Sequence, residues 1–265
     1  MYAFKYQRAK SLTSASAAIA NNADAKLLAG GQSLIAAMKL RLAHPTELVD
    51  LAPIKELYGI KAGKGTVTVG AMTRHAEVAS SADVKKAIPA LAVLAEAIGD
   101  RQVRNMGTLG GSIANNDPAA DYPAGLVGLG ATVTTNKRKI AADDFFRGMY
   151  ETALESGEII TAVAFPVPKR AAYMKFKNPA SRFALVGVFV ADTGSGVRVA
   201  VTGAGPAVFR VADMEQALSA KFAPESIAGI KVPEVGLNAD LHAKADYRAH
   251  LVTVMAKRAV EEAMR

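Results

Sequence analysis

The amino-acid sequence predicts an α+β fold in three parts. The opening segment has the pattern of a small βα unit, the middle contains a hairpin signal, and the last part mixes strands with two helices. Prolines at Ala52-Pro53 and at Pro166 and Pro168 mark linkers. A chain of 265 residues is expected to contain more than one small domain, so we predict units over residues 1–52, 53–168 and 169–265.

The first unit is predicted to contain two helices and two strands. Ser11 is a suitable N-cap, since its hydroxyl can accept a backbone N–H of the first helical turn. Pro45 ends the second helical pattern. In order, the predicted elements are a helix over 12–22, a strand over 26–29, a helix that begins at Leu34, and a strand over 47–51.

The second unit begins with a hairpin signal, because Gly63-Lys64-Gly65 separates two strand-like segments. Thr73, with Glu77 nearby, is predicted to cap a short helix. Pro89 and Gly99 suit the two ends of another helix. The predicted elements are strands over 57–61 and 66–70, helices over 73–78 and 89–98, an ordered loop over 104–117, a helix over 122–128, and strands over 131–135 and 159–165.

The third unit is predicted to be α+β. A Gly194-Ser195-Gly196 turn joins two of its strands as a hairpin. The predicted elements are strands over 174–177, 185–191 and 197–203, followed by helices over 213–220 and 246–264.

Composition limits the function classes. Hydrophobic residues make up 51% of the chain, which is typical of a globular protein, and no apolar run approaches the roughly 18 residues of a membrane span. The first residues show no signal-peptide core, so a cytoplasmic protein is expected. The absence of cysteine excludes disulfides, thiol nucleophiles and cysteine-ligated iron–sulfur clusters carried by this chain.

The net charge of +8 raises the question of a nucleic-acid partner. The lysines and arginines are scattered, however, and aromatic residues make up only 6% of the chain. No basic helix or aromatic-rich sheet motif is present, so no nucleic-acid partner is expected. An acidic partner protein or a phosphate-bearing ligand would account for the charge equally well.

Two glycine segments are the strongest functional feature. Residues 104–117 contain three glycines, two hydroxyls and three amides, and residues 29–33 form a second segment of this kind. Glycine lets the main chain approach a ligand closely, and successive backbone N–H groups can hold an anion. Neither segment matches the nicotinamide or Walker patterns. We expect the two segments to hold one diphosphate from opposite sides, with hydroxyls from Ser33, Thr108 and Ser112 and some charge from Arg104 or Lys177.

Other chemistry is poorly represented. Asp121 could accept a ribose or ribityl hydroxyl, although an ordinary surface or capping role is equally compatible with its position. The four histidines are far apart in sequence and none pairs with Asp or Glu at ligand spacing, so each is expected to be a surface or hydrogen-bonded residue and no metal site is predicted. No residue is identified as a catalytic base or nucleophile.

Several motifs together resemble the FAD-binding medium subunit of molybdenum hydroxylases, the family of aerobic carbon monoxide dehydrogenase and xanthine dehydrogenase. The resemblance covers nearly the whole chain. It implies the PCMH-type FAD-binding fold of vanillyl-alcohol oxidase relatives, with two α+β subdomains followed by a C-terminal α+β domain of the carbon monoxide dehydrogenase flavoprotein type. The motifs are Ala29-Gly30-Gly31-Gln32-Ser33-Leu34, Leu48-Val49-Asp50-Leu51, residues 104–112, residues 178–184 and Tyr247-Arg248-Ala249-His250-Leu251.

The resemblance also implies a function. Members of this family are oxidoreductase subunits that hold FAD and pass electrons to an external acceptor. A small partner subunit carries two [2Fe–2S] clusters, and a large partner subunit with the molybdopterin cofactor oxidises the substrate. The expected assembly is a dimer of heterotrimers. Because the substrate is bound by another chain, carbon monoxide, an aldehyde and an N-heterocycle all stay open, as do quinone, NAD and dioxygen as acceptors.

The family's cofactor contacts transfer to matching positions. Gly30 to Ser33 would lie at the diphosphate, and Asp121 would hold a sugar or ribityl hydroxyl. Phe183 stands where many relatives place a tyrosine against the isoalloxazine ring, and Asn178 stands where histidine is common. The full set implied to bind FAD is Leu27, Leu28, Ala29, Gly30, Gly31, Gln32, Ser33, Leu34, Thr108, Gly110, Gly111, Ser112, Asp121, Ile160, Lys177 and Phe183.

Two alternatives belong to other classes. A stand-alone FAD-dependent oxidase or reductase on the same fold would turn over a substrate without partners. A basic scaffold protein would bind a partner or nucleic acid without any cofactor, and its binding would depend strongly on salt.

Overall fold

The computed structural model describes residues 1–265 and contains fourteen strands and eleven α-helices. The strands are β1 (Lys5–Arg8), β2 (Ala25–Leu28), β3 (Glu47–Asp50), β4 (Ile60–Gly63), β5 (Thr66–Gly70), β6 (Thr132–Thr135), β7 (Lys139–Ala141), β8 (Phe146–Gly148), β9 (Glu151–Thr152), β10 (Ile160–Pro166), β11 (Arg170–Lys177), β12 (Ala184–Asp192), β13 (Val197–Thr202) and β14 (Phe209–Arg210). The helices are α1 (Leu12–Asn21), α2 (Leu34–Lys39), α3 (His75–Ser80), α4 (Ala82–Ala87), α5 (Pro89–Glu96), α6 (Arg101–Met106), α7 (Leu109–Asn115), α8 (Tyr122–Leu129), α9 (Ala142–Phe145), α10 (Ala212–Ala220) and α11 (Ala245–Ala263).

The first sheet is parallel and has the order β1-β3-β2. Ser11 caps α1 as predicted, since its hydroxyl oxygen accepts the backbone N–H of Ser14 at 3.2 Å. β1 was not predicted. All four of its residues are exposed, so it lacks the apolar alternation by which a strand is recognised.

The second sheet is antiparallel and has the order β4-β5-β10-β6-β7. The predicted hairpin is present as β4 and β5, and the predicted helix near residue 122 is α8, all eight of whose residues are buried. The short elements α4, β7, α9, β8 and β9 were not predicted.

The third sheet, β11-β12-β13-β14, is antiparallel and lies between helices. α11 packs against β11 and β12, while α8 packs on the same sheet from the other side through Phe189. A Cβ on Gly128 of α8 would lie 2.7 Å from the Phe189 ring, so glycine permits this close approach. Eight of the nine residues of β12 are buried, as expected for a strand covered on both faces.

Two local predictions are corrected by the structure. The N-cap of α3 is Arg74 rather than Thr73, and the Arg74 N–H donates to the Glu77 carboxylate at 2.8 Å. The Thr73 hydroxyl bonds instead to the backbone of Gly59. Residues 104–117 are also not one loop, because they contain the end of α6 and the whole of α7.

The caps of α6 and α7 explain the second correction. Asp100 Oδ1 accepts the Val103 N–H at 2.8 Å, and Thr108 Oγ1 accepts the Gly111 N–H at 3.1 Å. Leu109 and Ile113 are fully buried on the inner face of α7. The segment therefore contributes helices to the core and is not the ordered loop that we expected.

The boundaries at residues 52 and 168 stay predictions. The hydrophobic cluster beneath the first sheet includes Ile54, Leu57, Met72 and Ile159 together with residues from the first fifty positions. None of the helices combines the length and the apolar character that a membrane span requires.

Candidate functional site

The two glycine segments meet backbone to backbone. A Cβ built on Gly30 would overlap the carbonyl oxygen of Met106 and lie 2.7 Å from the Cα of Gly107. A Cβ built on Gly111 would lie 3.5 Å from the Cβ of Ala29. The structure thus brings together segments about 75 residues apart in sequence, as the diphosphate hypothesis requires. We call the residues 29–34 and 107–112 the cradle.

The first cradle segment presents a run of free donors. It follows β2 directly, turns at Gly31 with φ of +73°, and continues into α2. No backbone N–H from Ala29 to Leu34 donates a hydrogen bond to another protein atom. Six consecutive N–H groups without acceptors, on glycine-rich backbone, form a surface suited to phosphate oxygens. Within this segment Gln32 and Ser33 are exposed, and the hydroxyl of Ser33 has no partner.

The second cradle segment is different, since most of its N–H groups already have acceptors. Leu109 donates to the Thr73 carbonyl at 3.0 Å, and Gly110 donates to the Ala71 carbonyl at 2.8 Å. The Gly111 and Ser112 N–H groups both bond within the cap of α7. This side of the cradle therefore offers the Thr108 N–H and the hydroxyls of Thr108 and Ser112, rather than the row of backbone donors that we expected.

Gly110 is required by packing. A Cβ at this position would lie 2.7 Å from the Cβ of Ala71, at the end of β5. An isolated antiparallel bridge between Arg74 and Thr108 adds to the connection between this region and the start of α3. Gly110 therefore places α7 against the second sheet, and Thr108 and Ser112 are positioned by that contact.

His75 supports the cradle from below and was not identified from the sequence. Its backbone N–H donates to the Gly107 carbonyl at 3.0 Å, and a Cβ on Gly107 would lie 2.6 Å from its Nε2. The ring is buried and its Nδ1 has no partner, so the expectation of a surface or hydrogen-bonded histidine is wrong here. Burial, with the charge of Arg104 as a second cause, lowers the pKa of His75 to about 4.

Asp121 lies inside the protein in a buried ion pair. Tyr173 donates to Asp121 Oδ1 at 2.6 Å, and the Lys175 ammonium lies 2.9 Å from the same oxygen and 3.0 Å from Oδ2. Burial raises the pKa of Asp121, while the charge of Lys175 and the hydrogen bonds oppose that rise. A sugar hydroxyl could use only the lone pairs that these donors leave.

The predicted sources of positive charge are also distributed differently. Arg104 is buried, and its guanidinium donates to the carbonyls of Ile98 and Gly99 and to the Glu96 carboxylate at 2.9 Å. Lys177 is exposed at the end of β11. Tyr173 and Lys175 were not predicted, but they share one face of β11 by the two-residue strand period.

Phe183 lies half-exposed at the wall of a cavity of about 380 Å³. Asn178 shapes the turn before it, because its Oδ1 accepts the N–H groups of Ala180 at 2.9 Å and Ser181 at 3.1 Å. Asp117, which follows α7, lines the same cavity. The seven residues of α7 span about 10 Å, so this helix separates the cavity from the cradle by about that distance.

The remaining predicted contacts lie close to the protein interior. Ile160 is buried in the core of the second sheet. Leu27, Leu28 and Leu34 are half-buried at the two ends of the first cradle segment. The structure therefore places the two glycine segments together, whereas Asp121 lies in a buried ion pair, Ile160 in the core and Lys177 at the exposed end of β11.

Backbone strain is concentrated beside the cavity. Four non-glycine residues have positive φ: Tyr150 lines the cavity, and Asn116 and Arg182 directly precede the lining residues Asp117 and Phe183 in sequence. Asn116 is buried and its amide donates to the Gly148 and Glu151 carbonyls, both at 2.8 Å. Left-handed backbone is costly at Tyr150 and Arg182 and is concentrated at functional sites, whereas asparagine readily adopts it at a helix end such as the C-cap of α7.

Comparisons with known proteins identify the family of this chain. Residues 2–168 match the family described as the FAD binding domain in molybdopterin dehydrogenase. The chain is 37% identical to the carbon monoxide dehydrogenase medium chain of Hydrogenophaga pseudoflava, with 98% of this chain and 96% of the relative aligned. It is 33% identical to the glyceraldehyde dehydrogenase medium chain of Sulfolobus acidocaldarius, with 98% of each chain aligned.

A solved structure shows the same fold along the whole chain. Carbon monoxide dehydrogenase from Hydrogenophaga pseudoflava, in a form that lacks the Mo-pyranopterin moiety of the molybdenum cofactor, superposes with a TM-score of 0.90 at 36% identity. The alignment covers 99% of this chain and 98% of that chain. The α+β FAD-binding fold implied by the sequence motifs is confirmed. The chain belongs to the family of FAD-binding medium subunits of molybdenum hydroxylases.

Proposed function

We propose that this chain binds FAD non-covalently in the cradle and transfers electrons from the iron–sulfur clusters of a partner subunit to an external acceptor. The observation that carries the proposal is the run of six unpaired N–H groups from Ala29 to Leu34, set against the backbone of Gly107. These groups can meet diphosphate oxygens with dipoles and without a formal charge. The hydroxyls of Ser33, Thr108 and Ser112 complete the donor set.

Phe183 is proposed to pack against the isoalloxazine ring. Its half-exposed side chain lies beside a cavity, where a planar ring could cover it. FAD, when bound, supplies the redox chemistry by taking up and releasing electrons. The protein's own residues bind and orient the cofactor. Because Phe183 carries no hydroxyl, its side chain offers the ring an apolar contact only.

The proposed assembly contains a small subunit with two [2Fe–2S] clusters and a large subunit with the molybdopterin cofactor, as a dimer of heterotrimers in the cytoplasm. The relatives support a multi-subunit setting, since several are named as medium chains or subunits of dehydrogenases or a hydroxylase, each for a different compound. We therefore propose that the large subunit selects the substrate and that this chain is the flavin-bearing module.

Titration with FAD tests the first step. Purified wild-type chain should bind FAD with one site per chain and acquire the visible absorbance of an oxidised flavin. The absence of any flavin binding, by the chain and by its native complex alike, would contradict the proposal. Substrate turnover by the isolated chain would favour the stand-alone oxidase or reductase.

A further inference from the structure

Tyr150 has a conformation that the fold alone does not explain. It lies in the turn between β8 and β9, where its backbone has a φ of +57°, and 60% of the residue is exposed. Glycine adopts such backbone freely, whereas a bulky side chain makes it costly. Packing of a buried ring could offset that cost, but this ring lies mostly outside the core.

The buried residue Asn116 holds this turn in place. Its side-chain amide donates to the carbonyls of Gly148 and Glu151, both at 2.8 Å. Its backbone carbonyl accepts the Tyr150 N–H at 3.1 Å. One residue therefore fixes both sides of the turn, and a strained residue that is held this firmly is typical of a functional site.

The hydroxyl of Tyr150 has only a weak partner within the chain. It donates to Asp117 Oδ2 at 3.3 Å, whereas the usual O–H···O distance is about 2.7–2.8 Å. Asp117 Oδ1 accepts the Ala119 N–H at 2.9 Å, so this carboxylate keeps a good donor without Tyr150. Partial burial, and next the charge of Asp117, raise the pKa of Tyr150. The phenol therefore stays protonated at neutral pH and can donate to a stronger acceptor.

Tyr150 lines the same cavity as Phe183. Phe183 is proposed to cover a face of the isoalloxazine ring, and its side chain can give that ring no hydrogen bond. The ring carries nitrogen and oxygen acceptors along its edge, and hydrogen bonds to them tune its redox properties. A phenol in the wall of this cavity is a donor of the kind that such acceptors require.

Helix α7 connects the Tyr150 turn to the cradle. Thr108, which belongs to the cradle, is the N-cap of this helix, and Asn116 is its C-cap. The turn is therefore fixed relative to the donors proposed for the diphosphate. In FAD a ribityl chain separates the diphosphate from the ring, so contacts to the two parts require a spacer between them. α7, about 10 Å long, is such a spacer.

We propose that Tyr150 is a further FAD-binding residue, whose hydroxyl leaves Asp117 and donates a hydrogen bond to an acceptor on the edge of the isoalloxazine ring. This inference rests on the proposed function, since the ring must occupy the cavity beside Phe183. The strain of the turn is then explained, because the turn places the phenol in the wall of that cavity. Reduction raises the electron density on the ring's acceptors, so a donor at this position favours the reduced cofactor.

Two variants of the full chain test the inference. Tyr150→Phe removes the hydroxyl alone, and Tyr150→Gly removes the whole side chain together with the strain. Tyr2→Phe is the matched control, because Tyr2 is a tyrosine that is 49% exposed and does not line the cavity. The measurements are the FAD affinity by titration, the midpoint potential of the bound flavin by spectroelectrochemistry, and the urea midpoint of unfolding of the flavin-free chain.

Tyr150→Phe is expected to bind FAD about two- to tenfold more weakly than wild type, with a more negative potential and an unchanged unfolding midpoint. Tyr150→Gly should bind FAD more weakly still, because the ring contact is also lost. Its unfolding midpoint should stay close to that of wild type, since relief of the strained backbone offsets the greater freedom of glycine in the unfolded chain. Tyr2→Phe should match wild type in every measurement.

Wild-type affinity and potential in Tyr150→Phe would overturn the inference. A lower unfolding midpoint in Tyr150→Phe would also overturn it, because the hydroxyl would then serve the fold. If the wild-type chain and its native complex bind no flavin, the proposed function itself fails. If wild type binds flavin and Tyr150→Phe binds it equally well, only the role of Tyr150 fails.

Discussion

Gly30 and Gly107 lie with their main chains in contact, so that a Cβ on the first would be 2.7 Å from the Cα of the second. The neighbouring carbonyl of Met106 leaves no space for any side chain at Gly30. Both obstacles are backbone atoms held by α6 and by the bond from His75 to Gly107, so neither can move aside easily. The close approach of the two cradle segments depends on this contact.

Gly30→Ala is therefore expected to open the cradle. Overpacking of this kind costs about 1–3 kcal/mol of stability, and the separation of the two segments should weaken FAD binding by more than about tenfold. Flavin titration and urea unfolding measure the two effects. Gly63→Ala is the control, since nothing lies within 4 Å of a Cβ at that exposed position. Wild-type flavin affinity in Gly30→Ala would contradict the assignment of the cradle.

The lowered pKa of His75 predicts that the stability of the fold decreases at acidic pH. Its pKa is about 4 in the folded chain, whereas an unfolded histidine titrates near 6.5. Below pH 6.5 the unfolded state binds the proton more readily, so stability falls as the pH decreases and the full loss, about 3 kcal/mol, is reached below pH 4. Above pH 6.5 the residue contributes no pH dependence.

His75→Leu should remove that part of the slope. The measurement is the free energy of unfolding in urea at several pH values between 7 and 4 for wild type and variant. His44→Leu, at an exposed position, is the control and should leave the slope unchanged. An equal slope in wild type and His75→Leu would show that the buried ring is not the source.

The sequence alone was sufficient to predict those elements whose pattern is local. The hairpin at β4 and β5, the cap of α1 by Ser11 and the buried helix α8 all follow from neighbouring residues, and all are present. The two glycine segments were identified for the same reason. Their contact could be proposed from the sequence only because both suit the same ligand.

The features that the sequence did not predict depend on contacts between residues that are far apart in the chain. The Asp121–Lys175 pair joins residues 54 positions apart, and neither residue indicates the other in the sequence. The end of α6 and the whole of α7 were interpreted as one loop because their glycines and amides are typical of loops. Gly110 is instead required by the approach of α7 to Ala71. β1 is held by its pairing with β3 and by the contacts of Tyr6 and Arg8 with Asp50, and it shows no apolar pattern.

Because Asp121 and Lys175 form a buried ion pair, replacement of the carboxylate alone is expected to lower the stability of the fold strongly. Asp121→Asn leaves the Lys175 charge buried without its counterion, and loss of one partner of a buried pair costs about 3–5 kcal/mol. Asp121→Asn/Lys175→Met should recover most of that loss, because the unpaired charge is then absent. Urea unfolding compares the three proteins, and equal stability of Asp121→Asn and wild type would contradict the role of the pair. Flavin titration of the double variant separately tests the sugar-hydroxyl contact predicted for Asp121.

For a substitution at Phe183 we expect the opposite combination, which is a change in FAD binding without a change in the stability of the fold. Half of its side chain is exposed, so Phe183→Ala should leave the unfolding midpoint close to that of wild type. Loss of a stacked aromatic contact is worth about 0.5–1.5 kcal/mol, which corresponds to a decrease in FAD affinity of about two- to tenfold. Tyr247→Ala, at another exposed aromatic residue that packs on Phe176, should leave the affinity unchanged. Equal affinities for Phe183→Ala and Tyr247→Ala would place the flavin ring away from Phe183 and from the cavity beside it.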